Sequence, residues 1–168
     1  MSPERTIGYF AHVRDAMAYW GALVLLTPEG DPSELFYTEP VNLNRLTHQL
    51  LGPRADAYVI ERVLLRPLLE QVNGATSVVC FDDPAVLQRH LRLPVPAVVL
   101  APPDSVHRAE AWRFQAIPDG AHAEGCWVQP DSAEIALQAL ADMAAGMAPF
   151  GLRDPFRQLR AAMAEIRS

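Results

Sequence analysis

Two adjacent aspartates, Asp82 and Asp83, close an uncharged apolar run that begins at Ala75. Carboxylates at the carboxyl end of a buried strand are where open α/β sheets place ligand and metal contacts. Asp83 precedes Pro84 and suits a helix cap followed by proline at the first helical position. Asp82 is thereby left as the better candidate for chemistry. A site for Mg²⁺ or Mn²⁺ needs a further oxygen donor from elsewhere in the chain. Glu61 is the natural choice, because it lies inside a strongly apolar helical stretch where a charge needs a reason; Glu70 and Asp15 come after it. Asp82, Glu61 and Asp83 form the candidate catalytic set, with Asp82 and Glu61 as metal ligands. The chemistry would be metal-assisted hydrolysis of a phosphodiester or phosphomonoester.

Other reactive side chains fit no motif. His12, His48, His90, His107 and His122 lack H-x-x-x-H or H-E-x-x-H spacing, and the chain has no Walker A loop, G-x-G-x-x-G or G-x-S-x-G. Cys80 and Cys126 sit in apolar contexts without C-x-x-C spacing and read as buried thiols. Thr76 and Ser77 begin a strand without the glycine turn that a hydrolase nucleophile needs. Trp112-Arg113-Phe114, with Trp20 and Trp127, suggests a stacking or partner surface. Near the end, Phe156, Leu159, Met163 and Ile166 recur at three and four, flanked by Arg157, Arg160 and Arg167. That helix would dock on its own domain or offer itself to a partner. Trp112, Phe114, Arg157 and Arg160 are the candidate binding residues.

The elements that must position these groups are legible from apolar runs and turn residues. Residues 6–13 suggest a first strand, weakened by Gly8. Residues 18–27 and 33–41 flank the turn Pro28-Glu29-Gly30-Asp31-Pro32 and predict an antiparallel hairpin. A helix capped by Asn42 or Asn44 should stop at Gly52-Pro53, and a second should run over 54–72, broken near Arg66 by Pro67. Strand 75–81, a helix over about 84–92 and strand 95–101 make a βαβ unit, with both strands interior neighbours in one sheet. Residues 112–117 and 125–128 suggest short strands on either side of a turn at 118–120. Asp131 and Glu134 suggest a capping box for a helix whose face carries Ala133, Ala136, Leu137, Leu140, Met143, Ala144 and Met147. The expected fold is α/β, with α+β as the alternative. It is one domain over 1–168: a mixed sheet with an N-terminal hairpin and a central βαβ unit, helices packed on it, and two C-terminal helices.

A hairpin, a helix bearing Glu61 and a strand ending in Asp82 make an order, over residues 18–101, that resembles the ribonuclease-H-like order of elements. The resemblance implies two-metal phosphoester chemistry. That family places an essential aspartate within its first long strand, and residues 18–27 hold no acid.

Composition sets the outer bounds. Half the residues are hydrophobic and the net charge is −6, which disfavours a general nucleic-acid surface. All the basic residues are arginine. No apolar stretch reaches the roughly 18 to 20 residues that span a bilayer, and Met1–Arg5 lacks a signal-peptide pattern, so a cytoplasmic protein is expected. With no catalytic motif, the sequence favours a non-catalytic binding or assembly module. It would be a small subunit or adaptor that acts through its surface and C-terminal helices on a protein partner or on itself as a homo-oligomer, without a cofactor. The alternatives are the Mg²⁺- or Mn²⁺-dependent hydrolase and a small-molecule pocket at the sheet edge, among Asp82, the 102–108 loop and the hairpin.

Overall fold

The computed structural model describes residues 5–88, 91–106, 109–118, 125–148 and 150–167. Its frame is an eight-stranded mixed sheet. The first strand, β1 (Thr6–Asp15), is longer than its sequence suggests and lies well inside the sheet. It pairs antiparallel with β2 (Ala18–Leu26), which pairs antiparallel with β3 (Pro32–Tyr37) and with the two-residue β4 (Val41–Asn42). On its other side β1 runs parallel to β5 (Thr76–Phe81), with Tyr9 opposite Cys80. β5 runs parallel to β6 (Ala97–Val99), so the two segments expected as neighbouring interior strands are adjacent. The antiparallel β8 (Gly125–Val128) and β7 (Arg113–Ala116) complete the far end. The hairpin, the parallel pair β5–β6 and the two C-terminal helices match the expected fold.

The connection between β5 and β6 differs from expectation. Of the helix expected over 84–92, the described residues show a 3₁₀ segment, Pro84–Gln88, while 89–90 lie outside the described residues. Asp83 does cap it, accepting from the Ala85 N–H at 3.0 Å. The Leu91 N–H donates to the Gln129 side-chain oxygen at 2.9 Å.

Helix α1 (Arg45–Leu51) is capped by Asn44, whose side chain accepts from Thr47 N–H, and it ends at Gly52 in a positive-φ conformation. The long apolar stretch then divides into α2 (Ala55–Tyr58), a π-helical segment (Val59–Leu65) and α3 (Arg66–Glu70). The Arg66 N–H reaches back five residues to the Glu61 carbonyl. Pro67 would collide with the carbonyl four residues earlier in a regular helix, and widening the preceding turns relieves this.

The sheet carries one core on each face. Helices α4 (Ala133–Met147) and α5 (Asp154–Arg167) cover one, where Tyr9, Val78, Cys80, Leu140, Met143, Phe156 and Leu159 meet. The α2–α3 stretch covers the other, where Phe10, Leu23, Leu64, Leu65, Leu68, Val79 and Phe81 meet. Full burial of each such leucine is worth about 1.5–3 kcal/mol, which is why this stretch is helical despite its proline. Tyr9 is anchored across the first core by donating to the Leu152 carbonyl at 2.6 Å. The expected Asp131–Glu134 capping box is absent: a 3₁₀ turn (Pro130–Ser132) precedes α4, and its N-cap, Ser132, makes no side-chain cap bond. No helix among the described residues is long and apolar enough to cross a membrane.

Candidate functional site

Strand alternation decides which side chains meet. On β5, Val78 and Cys80 face the α4–α5 core, whereas Val79 and Phe81 face the α2–α3 core. Just beyond the strand the alternation persists. Asp82 turns toward α5, where Arg160 Nη2 donates to its two carboxylate oxygens at 2.7 and 3.0 Å. The same guanidinium donates to the His12 carbonyl at 3.4 Å. Glu61 belongs to the π-helical segment on the opposite face, buried at 4% exposure with Arg66 Nη2 at 3.6 Å. The expected metal pair is thus split between the two sides of the sheet, because one residue's shift along a strand changes face. No group of three or more His, Cys, Asp or Glu among the described residues is arranged to hold an ion.

Asp83, expected mainly as a cap, is the member of the Asp82–Asp83 pair that faces a cavity. A cleft of about 250 Å³ opens between the α1–α2 corner and the turn after β5. Its wall is mainly apolar, from Ala57, Ile60, Leu65, Phe81, Val86 and Leu91, and three carboxylates reach it: Asp56, Glu61 and Asp83. It lies on the α2–α3 side of the sheet, not among Asp82, the 102–108 loop and the hairpin. Two of the three acids have an arginine beside them. Arg14 Nη1 donates to both oxygens of Asp56 at 2.9 and 3.1 Å, and the Tyr19 hydroxyl donates to the same carboxylate. Burial, with that hydrogen bond, pushes the Tyr19 hydroxyl up to about 12. Glu61 has Arg66. Asp83 has His12, its Nε2 at 3.8 Å. Burial lowers the His12 pKa below 6.5, more than the nearby Asp83 raises it, so the imidazole is neutral at pH 7.

His12, Arg14, Tyr19 and Asp56 were not singled out as a group by the sequence. The available signal was the period of two in β1, which puts Phe10, His12 and Arg14 on one face; Phe10 and His12 do stack, at 6.3 Å. His90, His107 and His122 lie outside the described residues, as does 119–120 of the expected turn, and His48 is half-buried in α1.

The expected aromatic surface is corrected. Trp112 is 2% exposed and Trp20 5%, both in the core, because large rings at these positions face the packed sides of the sheet. Phe114 alone reaches solvent, its ring edge-on to Trp127 at 5.6 Å. Arg157 is exposed and stays near Asp154 of its own helix at 4.0 Å, so Trp112, Phe114, Arg157 and Arg160 do not form one surface. α5 docks on its own domain through Phe156, Leu159 and Met163. Cys80 and Cys126 are free, buried thiols; burial raises both pKa values, that of Cys126 to about 12, which leaves them unreactive.

No family model matches the chain, and no curated protein matches it. Solved structures similar to it include a protein of unknown function from Archaeoglobus fulgidus DSM 4304, with 12% identity over 80% of this chain and 86% of that one, and a TM-score of 0.41. Endonuclease V of Ciona intestinalis, in complex with a 24-mer DNA containing an inosine, has 11% identity over 82% and 77%, with a TM-score of 0.41. Endonuclease V from Bacillus subtilis has 10% identity over 82% and 70%, with a TM-score of 0.42. At identities and TM-scores this low, no property of those proteins transfers to this chain.

Proposed function

We propose that this chain is a small-molecule-binding domain whose ligand occupies the cleft beside Asp83. The observation that carries the reading is the mismatch of charge within an apolar cleft. Asp56 is matched by Arg14 and Tyr19, and Glu61 by Arg66, but the histidine facing Asp83 is neutral. Apolar walls with one unbalanced carboxylate suit a compact apolar body carrying a cationic or hydrogen-bond-donating group. The volume, about 250 Å³, suits a molecule at the small end of ordinary ligands.

Binding accounts for these residues with fewer parts than catalysis does. A general base needs an orienting hydrogen bond, and His12 and Asp83 stand 3.8 Å apart. The Tyr19 hydroxyl, bonded to Asp56, is held protonated. The metal-dependent alternative needs Asp82, which is engaged by Arg160 on the other face.

The test is a thermal-shift screen of small primary and heterocyclic amines, with calorimetric titration of the hits. Asp83→Asn keeps the acceptor that caps Ala85 and removes the charge, so affinity for a cationic hit should fall about tenfold, or about 1.4 kcal/mol. Ala57→Trp should block the cleft and abolish binding. A hit that binds both variants as tightly as the wild type, or a library without hits, would refute the reading.

A further inference from the structure

A second concavity, of about 320 Å³, opens beyond the carboxyl end of β6, between residues 100–103 and the start of α5. The carboxyl ends of parallel strands are where open α/β sheets bind ligands, and β6 runs parallel to β5. The volume lies within the range of about 300–1,000 Å³ usual for small-molecule sites. Its walls are fixed by contacts within the chain. The Pro102 carbonyl accepts from the Ser105 N–H at 3.1 Å, the Ser105 hydroxyl at 2.7 Å and the Trp127 indole N–H at 3.2 Å, which holds the Pro102-Pro103 turn in place. The Phe114 ring lies across Gly125, where a Cβ would collide with it, and stands edge-on to Trp127.

Arg153 is the one charged residue among the described residues that line this cavity. It is exposed, and its guanidinium makes no hydrogen bond or ion pair. The acid next to it, Asp154, is engaged elsewhere: Oδ2 accepts from the Gly151 N–H at 3.0 Å, and Oδ1 stands 4.0 Å from Arg157. The cavity therefore carries one uncompensated positive charge beside apolar walls. The kind of anion follows from the donors. Phosphate is normally held by a nest of N–H groups or by several cations. Pro102 and Pro103 have no N–H, and that of Leu100 goes to the Phe81 carbonyl at 2.8 Å. A carboxylate, planar and singly charged, matches a single guanidinium fork.

We propose that this cavity binds a small aromatic carboxylate, its carboxylate paired with Arg153 and its ring set against Phe114 and the Pro102-Pro103 turn. The site stands apart from the cleft beside Asp83, whose ligand would carry the opposite charge.

Calorimetric titration of the full-length chain with a naphthoate, the matching uncharged naphthamide and inorganic phosphate tests the assignment. The naphthoate should bind, and both Arg153→Gln and the change to the amide should weaken binding about tenfold. Phe114→Leu, which removes the ring face, should weaken it about threefold. Asp83→Asn should leave it unchanged, and phosphate should not compete. Should Arg153→Gln fail to fold, the amide comparison on the wild type still reads the charge. A naphthoate that does not bind, that binds Arg153→Gln or Phe114→Leu as tightly as the wild type, or that is matched by its amide would overturn the proposal. So would displacement by phosphate, or a loss of binding in Asp83→Asn.

Discussion

Replacing Arg160 by Met asks whether Asp82 is a reactive group or a latch. Met keeps most of the aliphatic stem and removes the guanidinium, so the change isolates the two bonds to Asp82 and the longer one to the His12 carbonyl. The Asp82 side chain is 19% exposed and that of Arg160 is 42%, so the pair is partly screened by solvent. Fully exposed pairs are worth about 0.2–1 kcal/mol, and hydrogen bonds to charged groups about 1.5–3 kcal/mol. An intermediate value of about 1 kcal/mol is expected, or about 2–4 °C in Tm for a chain of this size. Asp82→Asn should cost a similar amount, and the double variant little more than either alone. Urea unfolding of all four species closes the cycle, with an expected coupling of about 0.5–1 kcal/mol. Coupling below about 0.3 kcal/mol, within the error of additivity, would show that α5 is held by its apolar face alone and that Asp82 is not committed to Arg160.

Two further variants probe other parts of the frame. A Cβ on Gly146 of α4 would collide with the Pro28 carbonyl oxygen and stand 3.1 Å from the Glu29 Cα, both backbone. Alanine improves helix propensity by about 1 kcal/mol, while such overpacking costs about 1–3 kcal/mol. Gly146→Ala should therefore lower Tm, and an equal or higher Tm would refute the close approach of α4 to that turn. The folded-state pKa of His12 is below its unfolded value of 6.5, so the unfolded chain binds more protons between the two. Stability should be full above 6.5 and fall as pH drops from there toward the folded value. His12→Gln should flatten that fall, and an unchanged slope of urea midpoint against pH would show that His12 is not the group responsible.

The hairpin, the parallel pair β5–β6 and the helix ends were legible because each is written locally: apolar runs bounded by Pro28-Glu29-Gly30, by Asn44 and Gly52, and by Asp83-Pro84. Local signals misled where a distant partner competes. After Pro84 the described residues form a 3₁₀ turn, and the Leu91 N–H goes to Gln129, far along the chain. Trp112 looked like surface because it belongs to the alternating segment Trp112-Arg113-Phe114, and only the assembled sheet buries it. By itself the sequence determined that acids stand after β5 and that Glu61 lies in an apolar helix. Tertiary structure alone decided their company: the period of two along the strand sends Asp82 to Arg160 and Asp83 to the cleft, and the pairing of β1 with β5 brings His12 beside Asp83. Side-chain face depends on register, and register is set by contacts between strands far apart in the chain.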